Sequence, residues 1–109
     1  MEQQTHVRLA ALTERALAPY TTRPDPEGVA HLVDDLITCG QALHDEVAQV
    51  PAAERTPSAV DALAEWSYCS TAGPQGSGPH ANWNHARGLA RVVQKLARAL
   101  ELHRGLGVL

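Results

Sequence analysis

Apolar residues recur along the chain at three- and four-residue spacing, the pattern of amphipathic helices. Leu9, Leu12, Ala16 and Leu17 form a first stripe. Val29, Leu32, Val33, Leu36, Gly40, Leu43 and Val47 form a longer second one. Ala59, Val60 and Leu63 begin a third, and Leu89, Val93, Leu96 and Leu100 make a fourth. No segment alternates with the period of two expected of a strand. The punctuation between stripes fits helix ends. Pro19 closes the first, and Asp25-Pro26 supplies an N-cap with proline at the first helical position. Pro51 stops the second, Thr56-Pro57 opens the third, and the run from Gly73 to Pro79 is a loop by composition. Gly105 follows the fourth. The pattern predicts helices over about residues 5–18, 26–50, 57–71 and 80–104. The fold class is all-α: one small four-helix bundle spanning residues 1–109. Helices two and four would be roughly 36–38 Å long. They are expected to reach past the core and pack a homodimer.

Composition supports this picture. Phenylalanine is absent and alanine fills 18 of 109 positions, so the core is expected to be Leu, Val and Ala. The aromatic residues are Tyr20, Trp66, Tyr68 and Trp83, and three of them flank the glycine-rich loop. They are expected to mark a working end of the bundle rather than to serve as core filler. No apolar run approaches the ~20 residues that span a bilayer. The first residues lack the basic start and apolar stretch of a signal peptide. Cys39 and Cys69 are too few for a disulfide scaffold. The reading is a reduced, cytoplasmic protein with no membrane partner.

Charge is unevenly spread. Residues 1–79 carry four basic and eleven acidic groups, a net −7. Residues 80–109 carry five basic groups against Glu101 alone, a net +4. One face of the fourth helix gathers Asn84, Arg87, Arg91, Lys95 and Arg98. Such a stripe can clamp carboxylates, because the guanidinium fork binds them in two places. It can also contact phosphates, or simply be solvated or pair with an acidic neighbour. Nucleic acid is disfavoured by the acidic total, the single lysine and the lack of a helix-turn-helix pattern.

Extending the apolar stripes toward the loop makes them polar. The fourth stripe leads back to His85 and Asn82. The third leads on to Ser67 and Ser70, beside Trp66. These groups are expected to converge, facing inward, in a polar pocket near the N-terminus of the fourth helix. The structural alternative is that Asn82 caps a helix starting at Trp83 and that His85 is a satisfied core histidine. Glu27, His31 and Asp35 have i, i+4, i+8 spacing but no partner from a second helix, so no metal site is expected. Gly73 to Gly78 has P-loop-like spacing but lacks the following Lys and the preceding strand. Neither cysteine sits in a nucleophile constellation: Cys39 lies at the edge of the core stripe, and Cys69 is expected to project elsewhere. Asp61, Glu65 and Tyr68 share a polar face of the third helix.

The segment from Gly78 to Arg91, Gly-Pro-His-Ala-Asn-Trp-Asn-His-Ala-Arg-Gly-Leu-Ala-Arg, resembles small helical proteins of actinobacterial natural-product clusters. Among these it is most similar to the lysinoalanine-forming proteins of cinnamycin- and duramycin-type lanthipeptide pathways. The resemblance implies addition of a lysine amine to a dehydroalanine, with a modified precursor peptide as substrate and no cofactor. Such chemistry needs a base for the amine and donors for the enolate. His85, His80 or Glu65 would be the base, unless a substrate carboxylate serves. Asn82, Asn84 and Arg87 would donate, with Arg91 beside them. Trp66, Tyr68 and Trp83 would pack the peptide, near Ser67 and Ser70. Two other function classes stay open: a non-catalytic helical interaction or accessory protein, and a regulator that binds nucleic acid through the fourth helix.

Overall fold

The computed structural model describes residues 2–105, the side chains of residues 2–5 and 79 aside. Four helices account for most of this length: α1 (Glu2–Ala16), α2 (Pro26–Ala48), α3 (Pro57–Ala72) and α4 (Pro79–His103). Single 3₁₀ turns at Tyr20–Thr22 and Ala52–Glu54 carry the first two connections. There is no strand among the described residues.

The helix starts follow the capping chemistry read from the sequence. Asp25 Oδ1 accepts from Gly28 N at 2.8 Å, and Thr56 Oγ1 accepts from Ala59 N at 3.1 Å. Each satisfies an amide that the first turn leaves without an intrahelical partner. Helices α1 and α2 each end two residues earlier than expected, and an arginine holds each end. Arg87 Nη1 donates to the carbonyls of Ala16 and Ala18 at 3.2 and 3.0 Å. Arg55 donates to those of Ala48 and Val50 at 2.7 and 3.0 Å. Cations at helix C-termini satisfy spare carbonyls and oppose the negative end of the dipole. Proline at 51 also disfavours helical backbone at the preceding residue.

Side-chain pairs fix the topology. His6 lies 3.3 Å from Glu46, so the start of α1 meets the end of α2. Arg104 also reaches Glu46, at 3.3 Å, so α2 and α4 end side by side and run parallel. The result is an up–down–up–down bundle measuring 42 × 25 × 22 Å. Its section is a rhombus rather than a square. Helices α2 and α4 form the central pair, α1 and α3 lie on opposite flanks, and among the described residues no close backbone approach joins α1 to α3.

The core follows three of the four predicted stripes. Leu9, Leu12 and Ala16 are buried on α1, the α2 stripe is buried except for half-buried Val33, and Leu89, Val93, Leu96 and Leu100 are buried on α4. The third stripe is followed only in part. Ala59 is buried and Leu63 packs half-buried against the core, but Val60 is 50% exposed, and α3 also buries Ala62 and Trp66. Val60 marks the edge of the face: the buried side of α3 is centred about 60° away from the predicted stripe, toward Ala62 and Trp66. Trp66 is the largest group α3 offers, and its burial sets the rotation. Its ring fits over Gly40 of α2. A Cβ built at Gly40 would lie 2.7 Å from Trp66 Cζ2 and closer still to Cη2, so only glycine admits the ring.

Candidate functional site

The residues expected at the α3–α4 end do not form an inward polar pocket. Because α3 is rotated, Ser67 is exposed rather than buried. Ser70 is half-buried, and its hydroxyl donates to its own helix at Trp66 O, 2.8 Å away. Trp66 and Trp83 are 0% and 1% exposed and belong to the core, which corrects their expected role as peptide-packing groups. Trp66 Nε1 donates to Gln41 Oε1 at 3.0 Å, the partner a buried indole needs. Tyr68, 69% exposed, lies on the outer face of α3. Asn82 is not a cap: α4 begins at Pro79, and Asn82 N donates to Gly78 O at 3.2 Å. Gly78 takes that role with φ at 91°, where a side chain would be strained. Cys69 packs against the core instead of projecting elsewhere, and burial, with the Glu65 carboxylate behind it, raises its pKa.

The candidate bases part company. His85 is half-buried on α4, and burial holds its pKa below the usual histidine value, so it is neutral near pH 7. His80 is exposed and meets Tyr20 edge to face, with ring centres 5.6 Å apart. Arg23 lies over the other part of that stack, 3.8 Å from the Tyr20 ring centre. Glu65 accepts two hydrogen bonds from Lys95 Nζ, at 2.8 and 2.9 Å. The basic stripe is therefore partly committed to the fold. Arg87 holds α1 and lies 5.9 Å from the Trp83 ring, and Lys95 holds α3. Asn84, Arg91 and Arg98 are exposed. Among the described residues no buried side-chain nitrogen or oxygen lacks a partner.

No cluster of His, Cys, Asp or Glu among the described residues is arranged to hold a metal. Glu27 and His31 are exposed and 3.9 Å apart, while Asp35 faces Arg8 at 3.5 Å. A separate network lies along α2. Asp45 Oδ1 accepts from Gln41 Nε2 at 3.0 Å and lies 3.1 Å from His44 Nδ1. The His44 contact, then the Gln41 one, lowers the Asp45 pKa.

One concavity is one the sequence did not point to. It lies between α1 and α4, over Leu43 of α2, with a volume of about 860 Å³. Leu9, Leu17, Val93 and Leu100 give it an apolar lining. Thr13 adds no polarity, because its hydroxyl donates to Leu9 O at 2.8 Å. Glu14, Gln94 and Glu101 stand along it, and the His6–Glu46–Arg104 cluster closes one end. Leu9, Leu17, Leu43, Val93 and Leu100 belong to stripes that periodicity assigns to the core, because periodicity places residues on a face without showing whether the opposite helix fills the space. The available signal was side-chain size: Ala10, Thr13 and Ala97 are small where Trp66 is large.

The fold and this cleft define a small helical bundle with one open flank. The chain belongs to a protein family of unknown function, DUF6415, whose model matches residues 7–105. No curated protein and no solved structure matches the chain. No helix among the described residues is long and apolar enough to cross a membrane.

Proposed function

We propose that the protein is a non-catalytic helical binding domain whose working surface is the α1–α4 cleft. The observation that carries this reading is the cleft itself. Its volume of about 860 Å³ lies in the range of ligand sites, and its floor is apolar with a few polar groups at the edge. The residues first considered for chemistry are largely occupied in holding helices together: Arg87 on α1, Glu65 on Lys95, Ser70 on its own backbone. Two variants test the reading in a cell that carries only the altered gene. Ala97→Trp, which puts a ring into the cleft, is expected to reproduce a gene deletion while the purified protein still folds. His85→Ala is expected to behave as wild type. The reverse pattern overturns the proposal.

The second reading is the cytoplasmic, cofactor-free lysinoalanine-forming enzyme acting on a modified lanthipeptide precursor. One observation favours it: His85 is held neutral by partial burial and so can accept a proton. Its test is incubation with a dehydroalanine-containing precursor, followed by thiol labelling. Loss of thiol-reactive dehydroalanine supports it, and unchanged labelling removes it. The homodimer expected through α2 and α4 draws little support from the burial pattern, since both spend their apolar faces inside one bundle.

A further inference from the structure

We infer that the α1–α4 cleft receives an amphipathic helix of another protein, one that carries lysine or arginine beside its apolar stripe. This rests on the reading of the cleft as the working surface.

The shape argues for a helix. Both walls are helices, lined at one-turn spacing by Leu9 and Thr13 on α1, with Leu17 just past its end, and by Val93, Ala97 and Leu100 on α4. The lined stretches run from His6 to Leu17 and from Val93 to Arg104, each roughly 17 Å, or about three turns. Alanine near the middle of each wall, Ala10 and Ala97, lets a guest helix approach to the ~8–10 Å axis separation of packed helices. An extended peptide fits poorly, because helical walls have no spare backbone groups to pair with it. A helix brings its own hydrogen bonds satisfied.

The charge argues for a basic one. Glu14 on α1 and Glu101 on α4 both stand at the cleft, exposed. Neither has a hydrogen bond or an ion pair among the described residues. Arg104 and His6 of the lining both already contact Glu46. Both sides of the opening therefore present a negative group to whatever enters. Cations flanking an apolar stripe would answer both, as complementary charge does at the edges of other interfaces.

The test uses two synthetic peptides of about four helical turns. They share leucines at three- and four-residue spacing, and one has lysine and the other glutamate at the flanking positions. Binding is followed by fluorescence anisotropy at physiological salt, and helix formation by circular dichroism. The lysine peptide is expected to bind saturably, to become helical, and to bind more tightly than the glutamate peptide. Glu14→Gln and Glu101→Gln, both at exposed positions, are each expected to weaken it roughly 2–5-fold. Ala97→Trp is expected to abolish binding.

Equal binding of the two peptides overturns the inference. So does binding of dodecyltrimethylammonium without either peptide, which would make the guest a small apolar cation. A dimer in sedimentation that Ala97→Trp converts to monomer would make it a second copy of this chain. These three results leave the cleft as the working surface. Lysine-peptide binding that survives Ala97→Trp is mere attraction to an acidic protein and overturns the inference. Absence of peptide binding, with Ala97→Trp behaving as wild type in the cell, removes both the inference and the proposed function.

Discussion

The two flanks of the central α2–α4 pair solve the same packing problem differently. On the α3 flank one tryptophan enters a space that a glycine leaves open, and its indole nitrogen finds Gln41. That flank is closed. On the α1 flank the facing residues are alanine, threonine and mid-sized aliphatics, and the space between the walls stays open to about 860 Å³. The backbone of α1 is instead fastened from outside, by Arg87 on its last carbonyls. Tight burial stabilises one side, while a terminal clamp leaves the other free to bind. The lesson is that equal hydrophobic patterning does not mean equal filling.

The contrast can be broken from the closed side first. Trp66→Ala is expected to cost about 3–5 kcal/mol, as large-to-small core changes do, measured by urea unfolding. For a chain of this size that is a large part of the total stability. Gly40→Ala forces a methyl group into the ring and is expected to cost about 1–3 kcal/mol. A cost near zero would mean that α2 and α3 are more loosely joined than described. On the open side, Arg87→Ala removes two charged hydrogen bonds and is expected to cost about 1.5 kcal/mol. Its amide exchange should rise chiefly in the last turn of α1. Ala97→Leu partly fills the cleft and is expected to stabilise the protein by about 0.5–1 kcal/mol while weakening binding there. Loss of stability would show that the walls are already in contact.

The smallest effect concerns pH. Burial lowers the folded-state pKa of His85 below its ordinary value of 6.5. On acidification the unfolded chain therefore takes up this proton first. The His85 contribution is complete above the unfolded pKa and is lost as pH falls through the folded one. Between about pH 7.5 and about pH 5.5 the wild type should lose more melting temperature than His85→Gln. Equal losses would show that burial does not perturb this histidine.

Much of the fold was legible because it follows from periodicity and caps. Asp25-Pro26, Thr56-Pro57 and the glycine-rich loop placed the breaks within about two residues, apart from the earlier start of α1 at Glu2. The phase of α3 was not legible, since its apolar residues fall on several sides of the helix. Only the size of Trp66 and the gap at Gly40 decide which side is buried. The candidate site was less legible still. His85 and Arg87 stand out by type, yet their partners are carbonyls and helix faces distant in sequence, as with Arg87 and Ala16. The cleft depends on residues that are unremarkable one by one and matter only as two small-residue walls set opposite each other.

Because, among the described residues, α1 and α3 approach the central pair but not each other, the bundle is two three-helix layers sharing their middle. A disturbance in one outer helix reaches the other only through the two long helices between them. The outer helix that lacks a tryptophan anchor is then the natural unit of partial opening. Native-state hydrogen exchange should report this as two classes: α1 amides that exchange by detachment, and amides of α2, α3 and α4 that exchange only when the whole molecule unfolds. A guest held between α1 and α4 would merge the two classes, making occupancy of the cleft the event that turns a loosely hinged molecule into one cooperative body.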